Sequence, residues 1–406
     1  MNILAISKRV FFIALLINTS IGNQQFMFGP INFGTFFTWL AILCAIIILV
    51  KTLNNHFISI LLVSFILVFR ILESLSVIFL ILYFVSISLL YLYTGFIIFT
   101  QNINMIYKQV IFVVFVSIFF QLFQLIGVWE WPYFFTTFGE YDPGEVIFVE
   151  LNNLNINRSQ LRPSGILASP IYQSLITAFA IVLHFSRKVN KIPFVSIAII
   201  LMIILSNSKY PFMSFFAISL LIIILGTKNQ RYFIIKSVMI YFIIISIYSK
   251  IFPGVYDLTL NPRLFIWSFF VRFNNIIQIM YPEQNAPIFI QLFTYDTPKA
   301  YWHESGDYIA SGYALMAKFK VLIYIGPIFV IFILKYIKSY RTIIKNNTSN
   351  KMIFSLACAI ITITYPVMFD IFSNPIYWFI TGGTVIPIIL SSKKQLSHVS
   401  SSFRSY

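Results

Sequence analysis

Arginines occur where polar chain meets long apolar segments. In 158-RSQLRPSG-165, Arg158 and Arg162 precede an apolar run, and Pro163 disfavours a helical conformation at Arg162. Both arginines are therefore expected on extended chain that leads into a helix starting near Ser169-Pro170, a typical N-cap and N1 pair. A guanidinium there either reaches the lipid phosphates as a membrane anchor or binds another anion.

A second pair of arginines lies in 261-NPRLFIWSFFVRFNNIIQIM-280. The opening Asn-Pro can cap and start a helix, and one broad face of the wheel is apolar while the other carries Ser, Asn and Gln. This pattern predicts an amphipathic helix over 262–280 that lies in the membrane interface. Arg263 and Arg272 fall on opposite borders of its polar face, where they either snorkel or bind an anion. Because Arg263 is in the first turn, free N–H groups and its guanidinium can converge on a diphosphate.

Groups suited to proton transfer occur in 302-WHESGDYIASGY-313, where His303, Glu304 and Asp307 lie within a few residues. Histidine titrates near neutral pH and can act as a general base toward a hydroxyl group. The alternative is a solvent-exposed loop histidine without a catalytic part. The sequence contains no P-loop, nucleophile elbow or zinc-binding motif, and we predict neither a metal nor a cofactor.

The composition indicates a membrane protein that positions these groups at a lipid surface. Of 406 residues, 59% are hydrophobic and 10% are charged, and the mean hydropathy is +0.88. Soluble chains carry about 25% charged residues. The recurring apolar runs therefore predict an all-α polytopic integral membrane protein formed by a single membrane domain, 1–406. The net charge of +16 is scattered between apolar runs, so we expect no nucleic acid as a partner.

The spacing of the apolar runs predicts about 12 transmembrane helices. The predicted spans are 10–28, 33–50, 55–70, 75–98, 109–128, 166–186, 192–207, 210–226, 232–252, 316–336, 352–371 and 376–391. The basic connections between them all fall on one side, which the positive-inside rule assigns to the cytoplasm together with both termini and the tail, 392–406. The last two spans can alternatively form one re-entrant hairpin.

Two longer connections face the outside in this topology. They are the first outer loop, 129–165, and the second outer loop, 253–315, which contains the amphipathic helix. Ten of the 12 carboxylates lie in these loops: Glu130, Glu140, Asp142, Glu145, Glu150, Asp257, Glu283, Asp296, Glu304 and Asp307. A transporter more typically buries charge within its spans. The polar chemistry is therefore predicted at the outer face.

The order of these features resembles the O-antigen polymerase and ligase superfamily of membrane glycosyltransferases. The likeness rests on three stretches, 162-RPSGILASPIY-172, 263-RLFIW-267 and 303-HESGDYIASGYALMAKF-319, and on the late large outer loop. The chain departs from the family pattern downstream, where Lys318 and Lys320 precede Gly326 in place of a glycine pair. Asp307 rather than His303 is then the alternative counterpart of the family's histidine or acidic group.

The resemblance implies an O-antigen polymerase that joins undecaprenyl-diphosphate-linked repeat units at the periplasmic face of a bacterial inner membrane. It implies that the arginines bind the diphosphate and that His303, Asp307 or Glu304 activates the acceptor. The implied partners are the lipid-linked donor and acceptor glycans, membrane lipid, a chain-length regulator and a flippase. The alternatives are an O-antigen ligase and a lipid-linked oligosaccharide flippase.

Overall fold

The computed structural model is helical through most of the chain that it describes. It describes residues 3–20, 27–28, 31–52, 77–126, 165–167, 170–186, 194–206, 208–251, 276–277, 349–368 and 374–386. The helices in these ranges are α1 (Ile3–Ser20), α2 (Phe33–Thr52), α3 (Val77–Ile126), α4 (Pro170–Phe185), α5 (Phe194–Leu205), α6 (Lys209–Leu225), α7 (Lys228–Ile251), α8 (Ser349–Met368) and α9 (Pro375–Thr381). A 3-10 turn (Gly382–Val385) follows α9, and two short strands, β1 (Met27–Phe28) and β2 (Ile31–Asn32), lie between α1 and α2.

A hairpin of α1 and α2 opens the fold. The helices pack on each other, and β1 and β2 pair antiparallel with Phe28 opposite Ile31. The predicted span 33–50 agrees with α2. The predicted span 10–28 differs from the described structure, in which α1 covers Ile3–Ser20 and β1 covers Met27–Phe28. Hydropathy counts apolar residues whether or not they are helical, whereas the polar Asn-Thr-Ser that closes α1 favours chain outside helices.

One residue, Asn102, breaks α3 into two halves. A straight helix of its 50 residues would be about 75 Å long, more than twice the hydrocarbon core of a bilayer. Asn102 alone leaves the helical conformation, with φ −140° and ψ 33°. The sequence predicted two spans here, 75–98 and 109–128. The residues between them are helical on both sides of the single break at Asn102.

Contacts with α1 give the direction of the first half of α3. The Lys8 side chain bonds to Asn102 at the break, and the ring of Phe11 packs 5.9 Å from that of Tyr91. The later residue of α1, Phe11, thus contacts the earlier residue of α3, Tyr91. The first half of α3 therefore runs antiparallel to α1.

Contacts with α4 give the direction of the second half. The Tyr107 hydroxyl lies 3.0 Å from Nδ1 of His184, at the end of α4. Gln124, near the end of α3, bonds instead to Gly165, just before α4 begins. The second half of α3 therefore runs antiparallel to α4.

Neighbouring helices from α4 to α7 alternate in direction. Ser174 near the start of α4 bonds to Ser208 just before α6, so these two starts lie together. His184 at the end of α4 bonds to Ser196 near the start of α5, so α5 runs antiparallel to α4 and leads back to the start of α6. α7 follows α6 after a short turn and packs back along it, with Tyr241 against α6.

α8 and α9 form a second tight hairpin. Asn374 caps α9 by accepting a hydrogen bond from the Tyr377 N–H and donates to the Tyr365 hydroxyl of α8 at 2.8 Å. Further down, Ser355 of α8 donates to the carbonyl of Gly383 at 2.9 Å. α8 and the described chain from α9 to residue 386 are therefore antiparallel, as both two spans and one re-entrant hairpin would be.

An aromatic core lies where α1, α3, α4 and α9 meet. The rings of Phe12, Phe99 and Phe179 surround that of Phe379, with centroids 4.7 to 6.2 Å from it. All four side chains are buried. This core joins the α1–α2 hairpin to the remaining helices.

Three described helices are long and apolar enough to cross a membrane. These segments are Thr35–Thr52, Ser86–Gln124 and Lys228–Ile251, and α4, α5, α6 and α8 add shorter apolar helices. These helices are therefore compatible with a helical membrane protein. Three segments of this length do not establish 12 spans. The predicted spans 55–70 and 316–336 lie outside the described residues, as do most of both outer loops, the tail, and all of the amphipathic helix except residues 276 and 277.

Candidate functional site

The predicted diphosphate-binding and catalytic side chains fall outside the residues that the structure describes. They are Arg158, Arg162, Arg263, Arg272, His303, Glu304 and Asp307. Of the predicted motif 158-RSQLRPSG-165, the structure describes the last residue, Gly165. Gly165 is therefore the described residue nearest in sequence to Arg162.

Gly165 is clamped by a side-chain amide. Its N–H donates to Oε1 of Gln124 at 3.0 Å, and its carbonyl accepts from Nε2 of the same side chain at 2.9 Å. The glycine has φ +64°, a conformation that residues with a Cβ rarely adopt. A Cβ at this position would also lie 2.9 Å from that of Ser117. Gly165 is thus held against α3 in one backbone conformation.

The clamp belongs to a polar stripe on α3. Ser117, Gln121 and Gln124 follow at intervals of four and three residues, so they share one helical face, and all three are buried. Sequence reasoning did not single out this stripe, although three polar residues at helical spacing in an otherwise apolar run are a readable signal. The bond of Gln124 to a glycine 41 residues away in sequence cannot be recognised in a single sequence.

Buried polar groups continue into the first turns of α4. The Ser174 hydroxyl donates to that of Ser208 at 2.8 Å. The adjacent Gln173 is fully buried, and within the described ranges neither Nε2 nor Oε1 of its amide has a hydrogen-bond partner. An unpaired buried amide costs about 1–3 kcal/mol. Gln173 is therefore a polar group that folding of the described helices does not explain.

The start of α6, next to Ser208, contacts α8 through further polar side chains. The Tyr210 hydroxyl lies 3.2 Å from the Thr364 hydroxyl, and its ring stands 5.3 Å from that of Tyr365. Asn374 then joins Tyr365 to the start of α9. A layer of neutral hydroxyl and amide groups thus lies at the end of the bundle where Gly165 is held. Most of these groups are buried and hydrogen-bond to one another without adding charge, so they join the helices at this end of the bundle.

The opposite end of the bundle carries basic and amide side chains. Lys8 donates to Gln101 and Asn102, and Gln230 of α7 donates to Asn350 of α8 at 3.1 Å. Arg231 donates to the carbonyls that end α6, where a cation offsets the helix dipole. Most cations of the described helices thus lie at the end remote from Gly165, whereas Lys209 at the start of α6 and Lys250 near the end of α7 lie at the Gly165 end.

A buried histidine, His184, also lies at this remote end. Its Nε2 is 2.7 Å from the Ser196 hydroxyl and its Nδ1 is 3.0 Å from that of Tyr107. A hydroxyl, an imidazole and an orienting group in series can form a nucleophile. Ser196 is fully buried and His184 is 1% exposed, so this set joins α3, α4 and α5 and leaves no access for a substrate.

The described ranges contain no Asp or Glu, and among their residues no group of His, Cys, Asp or Glu could hold a metal ion. Cys44 and Cys358 are buried free thiols. The described part of the chain thus supplies a neutral, positioned entry to the predicted arginine motif. Comparison of the chain with protein-family models, curated proteins and solved structures found no match.

Proposed function

We propose that the protein is a membrane glycosyltransferase that polymerises undecaprenyl-diphosphate-linked repeat units into a surface polysaccharide, an O-antigen or a capsule. The reaction takes place at the outer face of a bacterial inner membrane, with both termini in the cytoplasm. It needs no metal, because fixed arginines supply the positive charge. The residues proposed to hold the diphosphate are Arg162 and Arg263, helped by Arg158 or Arg272. Those proposed to act on the acceptor are His303, Asp307 and Glu304.

The observation that carries the proposal is the clamp on Gly165. Arg162 is only three residues before this fixed glycine, so its Cα lies within about 11 Å of it even on fully extended chain. A flexible loop would not need a buried amide to set its last residue. A guanidinium that binds a lipid-borne diphosphate has to lie at one height above the bundle, because the diphosphate lies at a fixed depth in the membrane. The clamp on Gly165 would help to set that height.

The distribution of charge also supports the proposed orientation. Lys8, Arg231 and the Asn102 break of α3 lie at the end remote from Gly165. Placing this basic end in the cytoplasm follows the positive-inside rule. It leaves Gly165 and the preceding arginine motif at the outer surface.

The proposed chemistry is a single displacement. A hydroxyl oxygen of the acceptor unit attacks the anomeric carbon of the donor glycan, and the bond from that carbon to the diphosphate oxygen breaks. The hydroxyl proton passes to His303 or to an acid such as Asp307. The electron pair leaves with undecaprenyl diphosphate, whose charge the arginines stabilise.

The test is a gel profile of surface polysaccharide from the source bacterium with the gene deleted. The deletion strain is complemented with wild type, Arg162→Ala, Arg263→Ala or His303→Ala at matched membrane levels. Arg231→Ala is the matched control, because this arginine lies at the remote end. We expect single repeat units without a ladder in the deletion strain. We expect a ladder with wild type and Arg231→Ala, and none with the other variants.

Other profiles decide against parts of the proposal. A deletion strain without any attached unit, but with finished polymer on its lipid carrier, would replace the polymerase by a ligase. Units trapped at the cytoplasmic face would replace it by a flippase. A full ladder from Arg162→Ala and Arg263→Ala would show that these arginines are membrane anchors.

A further inference from the structure

A cavity of about 220 Å³ opens at the basic end, between the start of α1 and the break in α3. Leu4, Ala5, Lys8, Arg9, Asn102 and Met105 line it. At about 30 Å³ per water, it has room for roughly seven water molecules. Small-molecule pockets begin near about 300 Å³, so the cavity fits one compact polar group better than a whole metabolite.

The charge of this cavity is uncompensated within the described part of the chain. Lys8 is 7% exposed, and its ammonium donates to two neutral amide oxygens, those of Gln101 and Asn102. Neutral acceptors satisfy hydrogen bonds but leave the positive charge in place. Arg9, also on the lining, is exposed. Two adjacent cations therefore border one small cavity, and the described ranges contain no carboxylate.

The break at Asn102 creates this site. With φ −140° and ψ 33° the residue interrupts the helix and presents its side-chain oxygen to Lys8 at 3.0 Å. This bond holds the ammonium over the gap between α1 and α3.

We propose that this cavity is a binding site for a phosphate group, occupied by the headgroup of an anionic phospholipid of the surrounding leaflet. Basic pockets between transmembrane helices bind such headgroups. A free anion of the same chemistry would be attracted by the same charges. A lipid is favoured because Leu4, Ala5 and Met105 line the cavity, and these apolar side chains suit the glycerol and first methylenes of an acyl chain.

The test is native mass spectrometry of the full-length protein titrated with phosphatidylglycerol and, separately, with phosphatidylethanolamine. We expect one tightly bound phosphatidylglycerol and no comparable binding of the zwitterionic lipid. Each charge near a membrane surface contributes about fivefold in affinity. Arg9→Gln should therefore weaken binding about fivefold, and Lys8→Gln with Arg9→Gln more strongly. Ala5→Trp fills the cavity without changing charge and should also displace the lipid.

The matched control is Lys228→Gln, which removes an exposed cation at the same end of the bundle but away from the cavity. It should leave the bound phosphatidylglycerol unchanged. Equal losses from Lys228→Gln and Arg9→Gln, or no loss from Ala5→Trp, would overturn the site, because general surface attraction would then explain the binding. Displacement of the lipid by millimolar inorganic phosphate would overturn the lipid as its occupant. Since Arg9 is exposed, Arg9→Gln tests the site even if Lys8→Gln fails to fold.

Discussion

At Gly165 the backbone conformation, a side-chain amide and a packed neighbour all specify the same geometry. The positive φ favours glycine, Gln124 pairs both backbone polar groups, and Ser117 leaves no space for a Cβ. The sequence of this motif predicted the start of α4 near Pro170, which is confirmed. It could not predict the clamp, because the two partners are far apart in sequence.

Replacing Gly165 by alanine should destabilise the protein by about 2 kcal/mol or more. The left-handed conformation costs a residue with a Cβ about 1–2 kcal/mol, and the clash with Ser117 adds to this. The measurement is the thermal unfolding midpoint of the purified protein in detergent. Ser117→Gly in the same chain should restore part of the loss, and an undiminished midpoint for Gly165→Ala would contradict the clamp.

Gln124→Leu should release the arginine motif and lower the stability of the protein. It leaves the buried N–H and carbonyl of Gly165 without their partner, at a cost of about 1–3 kcal/mol each. Spin labels on Arg162→Cys and Ser208→Cys, in a chain whose native cysteines are replaced, measure the distance between the motif and the bundle. The distance distribution should broaden in Gln124→Leu.

The matched variant is Gln173→Leu, a buried glutamine whose amide bonds to no described residue. It should leave the distance distribution narrow and the stability unchanged or raised, because it removes a desolvated amide. Equal broadening in both variants would mean that Gln124 does not set the position of the motif.

Between elements, two glycines let α3 and α9 approach closely. A Cβ on Gly95 would collide with the carbonyl oxygen of Phe379, and one on Gly382 with that of Leu92. Small residues at such contacts let helix backbones pack tightly in a membrane, where apolar side chains gain nothing by leaving lipid. The contact fixes the α8–α9 hairpin against α3.

Gly95→Ala should therefore separate α3 from α9 and lower stability by about 1–3 kcal/mol, the usual range for overpacking. The measurement is the unfolding midpoint in detergent, with Tyr93→Ala as the control because that side chain is exposed on the same turn. An effect of Gly95→Ala no larger than that of the control would show that the approach is loose.

Element existence was easier to predict than element ends. The predicted spans 33–50 and 210–226 agree with α2 and α6 to within two residues. A helix is one of the few structures in which a long apolar segment can satisfy its backbone hydrogen bonds in lipid. The break in α3 falls between the predicted spans 75–98 and 109–128, but its place at Asn102 was not predicted. Asn102 accepts a hydrogen bond from Lys8 of α1, and a contact between residues so far apart cannot be predicted from a single sequence.

Over the whole molecule, most cations of the described helices lie at the end remote from Gly165, and a neutral polar layer lies at the other end together with Lys209 and Lys250. With the proposed orientation, Lys228 and Lys250, near opposite ends of α7, should face opposite sides of the membrane. Lys228→Cys should react with an impermeant maleimide only from the cytoplasm, and Lys250→Cys only from outside. The background chain needs Cys44 and Cys358 replaced. Labelling of both positions from the same side would reject the orientation.

The absence of carboxylates from the described helices also bears on the electrical state of the cell. An inside-negative potential holds each cation on the cytoplasmic side by about 2.3 kcal/mol per 100 mV. The described helices contain no acidic residue to offset that pull. In the proposed orientation, turning over the α1–α2 hairpin would carry Lys8, Arg9 and Lys51 against the voltage together. An energised membrane would then keep the insertion of this hairpin one-directional, and a de-energised one would weaken that bias.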